Sequence, residues 1–304
     1  MSDFKIQILG CGSAMPTTRH QPTSQIIDFR DKEFMVDCGE GAQLQMRRMG
    51  LRFSRLTHIF ISHLHGDHCF GLPGLISTLG MQDRIGDLVI HGPASIETYL
   101  RPVMDLFCRG LDFEVRFETV GTKEKELVLD ERSISVYSIP LHHRIPTIGY
   151  LFVEKPKEPH IIREMTDFYH VPIKAMKDLK RGEDFVTDDG ETIPNSRLTR
   201  PAEPSRIYAY CSDTIYKPSI APLIEGADLL YHEATYNEAD ASRAKENYHS
   251  TARQAAMIAR DANVKRLIIG HYSARYDNTE TLLAEAREIF PNTIAAEEGL
   301  TVDI

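Results

Sequence analysis

One short stretch constrains this chain more than any other: Ser62-His63-Leu64-His65-Gly66-Asp67-His68, which follows directly on the apolar strand-like run Thr57–Ser62. On an extended segment two residues apart share a face, so His63 and His65 project to one side. Gly66 is expected to allow a sharp turn that brings Asp67 and His68 round to a second position. Imidazole nitrogen and carboxylate oxygen are the ligands that zinc accepts, and a loop with four of them can serve two adjacent ions. The chain has 13 His in 304 residues, and three at these offsets with the Asp would arise by chance in about one such chain in a thousand.

A two-metal centre needs further ligands, and the place to seek them is the loop after each strand. Three more apolar runs end in residues of the right type. Leu141-His142-His143-Arg144 follows the strand expected at Ser133–Ile139, Cys211-Ser212-Asp213-Thr214 follows Arg206–Tyr210, and Gly270-His271-Tyr272-Ser273 follows Arg266–Ile269. These runs, with others at Asp3–Leu9, Gln25–Phe29, Glu33–Val36, Asp87–His91, Phe113–Glu118, Gly149–Val153 and Asp228–Tyr231, alternate with helical stretches at Ala42–Met49, Gly71–Leu79, Ala94–Phe107, Ser250–Asp261 and Thr279–Ile289. The alternation predicts a layered α/β architecture.

One segment breaks the rhythm. Glu154 to Pro204 is polar and rich in Lys and Pro, and lies between two strand candidates. Pro172 and Gly182 bracket a short helix Ile173–Arg181, and Asp188-Asp189-Gly190 is expected to form a hairpin turn. From Lys155 to Arg181 seven basic residues stand against four acidic ones, a local +3.

The rest of the composition excludes several classes. With Lys+Arg 35 against Asp+Glu 44 the net charge is −9, which is not the footprint of a general nucleic-acid binder. An RNA substrate would then need basic residues concentrated locally, or metal. Five scattered cysteines without CxxC spacing argue against disulfides and a thiolate zinc site. Met1 to Gly10 lacks the basic and apolar regions of a secretion signal, and no apolar run is of membrane-spanning length, so a cytoplasmic protein with no membrane contact is expected.

In its order of HxHxDH, lone His, Asp after a strand and final His, the chain resembles the metallo-β-lactamase superfamily over nearly its whole length. Within it, Leu9 to Thr17, Val36 to Gly41, His143 to Tyr150, His232-Glu233-Ala234-Thr235-Tyr236, His249-Ser250-Thr251 and His271 to Tyr276 resemble the ribonuclease Z branch. The resemblance implies an α/β fold of the αββα sandwich type over residues 1–304, with a flexible tRNA-gripping arm inserted at 154–204. It implies two Zn2+ per chain, with His63, His65 and His143 on one ion, Asp67, His68 and His271 on the other, and Asp213 bridging. Spacing to Gly149-Tyr150 favours His143 over His142.

The same resemblance implies Asp67 as the proton acceptor, His249 as the group that protonates the leaving 3′ oxygen, and Glu233 as the carboxylate holding that imidazole. Asp37 is expected to support the histidine loop by hydrogen bonding. Ser273 and Arg275 are expected to contact substrate phosphate, and Lys174, Lys177, Lys180 and Arg181 to grip the RNA. The arm here reads Val171-Pro172-Ile173-Lys174, without the Gly-Pro pair that many such arms carry. Precursor tRNA is the implied substrate and a homodimer the implied assembly. The competing readings are a small-molecule phosphodiesterase or arylsulfatase on the same fold, and a binding module without turnover. The arm and His249 oppose the first, and the filled ligand set opposes the second.

Overall fold

The computed structural model describes residues 3–82 and 84–304; Met1 and Ser2, which open the stretch read above for a leader, lie outside them. The described residues divide into two compact units, 3–130 with 135–152 and 207–304, and 131–134 with 153–206.

The larger unit is organised by two seven-stranded sheets. The first runs, in spatial order, Thr301–Asp303, Phe4–Gly10, Ser24–Phe29, Lys32–Cys38, Leu56–Phe60, Leu88–Gly92 and Val115–Thr119. The second runs Thr293–Ala295, Leu267–Gly270, Leu229–Glu233, Ile207–Cys211, Ile148–Glu154, Ile134–Pro140 and Leu127–Asp130. The inner strands are buried along nearly their whole length rather than on alternate residues, so each sheet has two apolar faces. One pair of faces meets through rings: Phe60 lies 5.2 Å from Tyr150 and 5.3 Å from Phe152, and Phe152 lies 6.0 Å from Tyr208. Such pairs add about 0.5–1.5 kcal/mol each beyond the area they bury.

The outer face of the first sheet, with Leu9, Met35 and Ile59, packs on Met46, Leu75, Ile76 and Leu100 from the helices Ala42–Arg48, Leu72–Gly80 and Ser95–Phe107. The helices Ala252–Asp261 and Glu280–Ile289 lie against the second sheet and bury Ala255, Ile258, Leu282 and Ala286. Helix, sheet, sheet and helix follow one another, the αββα order expected.

Element boundaries differ little from the sequence reading. Among the elements not foreseen are the strands Leu127–Asp130, Thr293–Ala295 and Thr301–Asp303 and the helices Arg163–Phe168 and Ala241–Asn247. The three strands are short edge strands or nearly so, and Leu127–Asp130 buries no side chain fully, so no apolar alternation announces it. Gly66 makes the turn expected of it. It has no left-handed φ but opens the short helix Gly66–Cys69. A Cβ there would stand 2.3 Å from the Phe70 ring, which would have to move to admit any other residue.

The smaller unit has its own core of Val171, Leu179, Ile193 and Leu198. The expected helix appears as a 3-10 turn, Ile173–Ala175, running into Met176–Lys180 and ended by Gly182 at φ 90°. The hairpin also forms, with Gly190 at φ 83° between Phe185–Val186 and Thr192–Ile193. The two ends of the inserted segment are tied by Glu154, fully buried, which accepts from Arg206 Nε at 2.7 Å and Nη2 at 2.9 Å. The local +3 does not extend to the whole segment, since 154–204 carries nine basic against eleven acidic residues. Lys180 pairs with Glu158 at 2.9 Å, and Arg181 with Asp178 and Glu183. Lys174 and Lys177 are exposed, and neither has an ion-pair partner among the described residues.

Candidate metal centre

Parallel pairing of Lys32–Cys38 with Leu56–Phe60, and of Ile207–Cys211 with Leu229–Glu233 and then Leu267–Gly270, brings the carboxyl ends of these strands to one edge of the two sheets. Loops leaving such ends are where open α/β sheets place chemistry. Asp37, His63, Asp213, Glu233 and His271 all arrive there by strand direction alone.

Two groups form. His63, His65, His143 and Asp213 bring one donor atom each within 4.8 Å of one another, and Asp67, His68 and His271 do the same. Asp213 stands between the groups. Its Oδ1 lies 3.4 Å from His68 Nε2 and 3.1 Å from His271 Nε2, whereas Oδ2 lies 3.6 Å from His63 Nε2 and 3.8 Å from His143 Nε2. His143, not His142, joins the cluster; His142 is exposed and packs on Tyr248.

The far side of each ring decides which nitrogen faces inward. Asp37, fully buried, accepts from Ser62 N at 2.7 Å, from Tyr210 Oη at 2.6 Å and from His68 Nδ1 at 2.8 Å. It therefore supports the loop as expected. Thr235 Oγ1 donates to Glu233 Oε2 at 2.7 Å and so must accept from His271 Nδ1 at 2.9 Å. His143 Nδ1 donates to the Tyr248 carbonyl at 2.8 Å, with Tyr248 itself held at φ 60°. The protons thus sit outside and the lone pairs point in, as second partners do for metal-ligating histidines.

His68 Nε2 and His271 Nε2 are buried, and although carboxylate oxygens stand 3.1–3.5 Å away, neither nitrogen has a hydrogen bond of good geometry among the described residues, which ordinary packing rarely allows. Burial keeps His63, His65 and His143 below the usual histidine range, in the neutral form that binds metal. Burial opposes the charge on Asp67, but His68 and His271 hold it far below the carboxylate range. Asp213 is held low in the same way. Two buried or nearly buried carboxylates, Asp67 and Asp213, thus converge with inward-facing imidazole nitrogens, a donor set that fits divalent cations.

Beside this cluster His249 Nδ1 lies 3.0 Å from Glu233 Oε1 and 3.9 Å from Asp213 Oδ2. Burial works against a charged imidazole there, yet Glu233 outweighs it and lifts His249 to about 9. Glu233 is fully buried and also accepts from the backbone N–H groups of Thr214, Ser250 and Thr235 at 3.0–3.1 Å.

Comparison with known proteins gives this geometry a family. The ribonuclease Z of Parabacteroides distasonis is 67% identical to this chain over 304 residues, with the whole of both chains covered. The chain belongs to the ribonuclease Z family. As a ribonuclease Z it is a hydrolytic endoribonuclease. Human tRNase Z, short form, has a similar structure, with a TM-score of 0.71 and 26% identity over 99% of each chain. The metallo-β-lactamase fold protein YhfI from Bacillus subtilis superposes with a TM-score of 0.69 at 17% identity over 98% of each chain. The chain therefore has the metallo-β-lactamase fold. The sequence profile described as Anti-Pycsar protein Apyc1 matches residues 4–99.

A cavity of about 640 Å³ opens over the cluster of this ribonuclease Z, lined among others by Ser13, Asp67, Phe70, Arg144, His249 and Ser273. Ser273 is thus brought to the cavity, but Arg275 is not. Its guanidinium is held by Asp240 at 3.2 Å and lies over the Tyr236 ring. His232 is fully buried and bonded to the Glu233 carbonyl, away from both groups. The sequence reading missed Thr235, which links Glu233, His249 and His271, although it lies within the quoted motif His232–Tyr236. It also missed Ala14, whose N–H donates to Asp67 Oδ2 at 2.6 Å from a left-handed φ of 61°. No side-chain pattern could reveal a backbone donor.

Proposed function

We propose that this ribonuclease Z acts on precursor tRNA with two zinc ions per chain. It would remove the 3′ trailer by hydrolysing one phosphodiester, leaving a 3′-hydroxyl on the tRNA and a 5′-phosphate on the trailer. The position of Asp213, with one oxygen toward each ligand group, carries the two-ion reading. His63, His65 and His143 would hold one ion and Asp67, His68 and His271 the other. Bound there, the ions would make water more acidic and offset charge on the phosphoryl oxygens.

The protein's own groups divide the remaining work. Asp67, kept ionised and aimed by the Ala14 N–H, takes the proton of the water that attacks phosphorus. His249, held protonated by Glu233, gives a proton to the 3′ oxygen as the P–O bond breaks. Ser273, in the cavity wall, would donate to a phosphate oxygen. The histidine rings cannot reorient, since the outer nitrogens of His63, His68, His143 and His271 are tied down, so little reorganisation is needed at the moment of reaction.

No helix of the described residues is long and apolar enough to cross a membrane. Cytoplasmic location and a homodimer belong to the same proposal, on the strength of the family relation, and light scattering of the purified chain tests the second.

The activity is tested by incubating the purified chain with a 3′-extended precursor tRNA and sequencing the ends. Cleavage that leaves a 3′-hydroxyl at the tRNA end, lost to a chelator and restored by zinc, is expected. Active enzyme that contains one metal or none would refute the two-ion mechanism.

The arm, residues 154–204, gives a separate prediction. Binding energy made far from the reacting bond is expressed only by substrates large enough to reach it. Changing Lys174 and Lys177 to Ala, two exposed arm cations without an ion pair among the described residues, is expected to raise KM for precursor tRNA and flatten its salt dependence, as fewer counterions are released. Hydrolysis of a small chromogenic phosphodiester should continue. Adding Lys180→Ala and Arg181→Ala is expected to add less, because their charge is already met by Glu158, Asp178 and Glu183. Unchanged KM and salt slope for the double variant would remove the arm from RNA binding.

A further inference from the structure

The floor of the cavity is polar, yet two large apolar side chains, Phe70 and Met15, stand in its wall, each 63% exposed. Phe70 is not carried on a loose loop. It closes the short helix Gly66–Cys69, and its N–H donates to the Gly66 carbonyl at 2.9 Å. The ring folds back over Gly66, as helical side chains lean toward the preceding turn. The fit is so close that any side chain at 66 would collide with it. One side of the ring is thus seated on the backbone between His65 and Asp67, and the rest is open to the cavity.

Leaving a phenylalanine in water forgoes roughly 1.5–3 kcal/mol of burial, and here that exposed surface borders the cluster proposed to cut RNA. An internal phosphodiester reaches the cluster only with a nucleotide on each side of it, and unpaired bases are held in proteins chiefly by stacking on aromatic faces. We propose that Phe70 is a specificity-determining residue, a fixed platform on which the nucleobase next to the scissile phosphate stacks, with Met15 adding apolar surface to the same wall. This rests on the reading of the His and Asp cluster as the cutting site.

The test pairs protein and RNA changes. Precursor tRNAs are made with the natural base, or with an abasic residue, at each of the two nucleotides flanking the cut. With the natural base, Phe70→Ala is expected to lower kcat/KM about thirtyfold, near the middle of the range for loss of one base stack. On the abasic RNA, already weakened, the same substitution should cost little more at one of the two positions. Phe70→Trp should restore most of the rate on natural RNA. A second readout does not depend on cleavage. An oligonucleotide with 2-aminopurine at that position should be quenched on binding wild type and remain bright with Phe70→Ala, so a failure of the cutting-site reading stays separate from a failure of the stack. Equal losses on natural and abasic RNA, or equal quenching by both proteins, would overturn the proposal.

Discussion

Asp213→Ala is expected to empty both metal positions and to lower turnover of precursor tRNA by at least about 10³-fold, since metal assistance supplies several kcal/mol of transition-state stabilisation. The reason is the split use of its two oxygens: Oδ1 faces His68 and His271, and Oδ2 faces His63 and His143, all at 3.1–3.8 Å. Its carboxylate is buried and, apart from a long contact from Ser212 Oγ at 3.4 Å, faces the histidines of this centre. Removing it leaves each group with neutral imidazoles and a smaller share of negative charge, and affinity for a divalent cation falls on both sides. His143→Ala is the control. It touches one group only, and its neighbours His63 and His65 remain. Elemental analysis of the two purified variants, with circular dichroism to show that each folds, measures the difference. A full complement of two metals in Asp213→Ala would refute the bridging role.

The second large effect concerns the pair His249 and Glu233. His249→Ala is expected to slow cleavage by roughly 10²-fold or more, the usual worth of a general acid, while metal content stays at the wild-type value. Glu233 should behave differently, because its carboxylate does more than hold one imidazole. It accepts from Thr214 N, Ser250 N, Thr235 N, Thr235 Oγ1 and His249 Nδ1 at 2.7–3.1 Å in a fully buried place. In Glu233→Gln an amide NH2 must face some of these donors, and a buried donor left unpaired costs about 1–3 kcal/mol. That variant should therefore lose thermal stability as well as turnover, whereas His249→Ala should lose turnover alone. Wild-type rates in His249→Ala would make the residue a mere flank of the helix Ala252–Asp261. A Glu233→Gln protein with unchanged melting temperature would show that the carboxylate network is not structural.

What the amino-acid sequence by itself determined is what depends on neighbours along the chain. The apolar runs set the strands, and their polar ends set the loops in which ligands could lie. The spacing in His63-Leu64-His65-Gly66-Asp67-His68 confined four donors to one turn. The proline and glycine around Ile173–Arg181 marked the arm helix. Tertiary structure decided what depends on atoms brought together from far apart. Asp213 points between two groups only because parallel strands from residues 56–60, 207–211 and 267–270 end at one edge. His143 rather than His142 turns inward because the Tyr248 carbonyl, more than a hundred residues away, captures its Nδ1. The hydrogen bond from Ala14 to Asp67 uses a backbone donor that every residue but proline possesses, so it has no signature in the sequence. Charge is the other case. A count of Lys and Arg along the arm cannot show that Lys180 and Arg181 are already paired, because pairing is a matter of distance, and distance is settled only when the chain has folded.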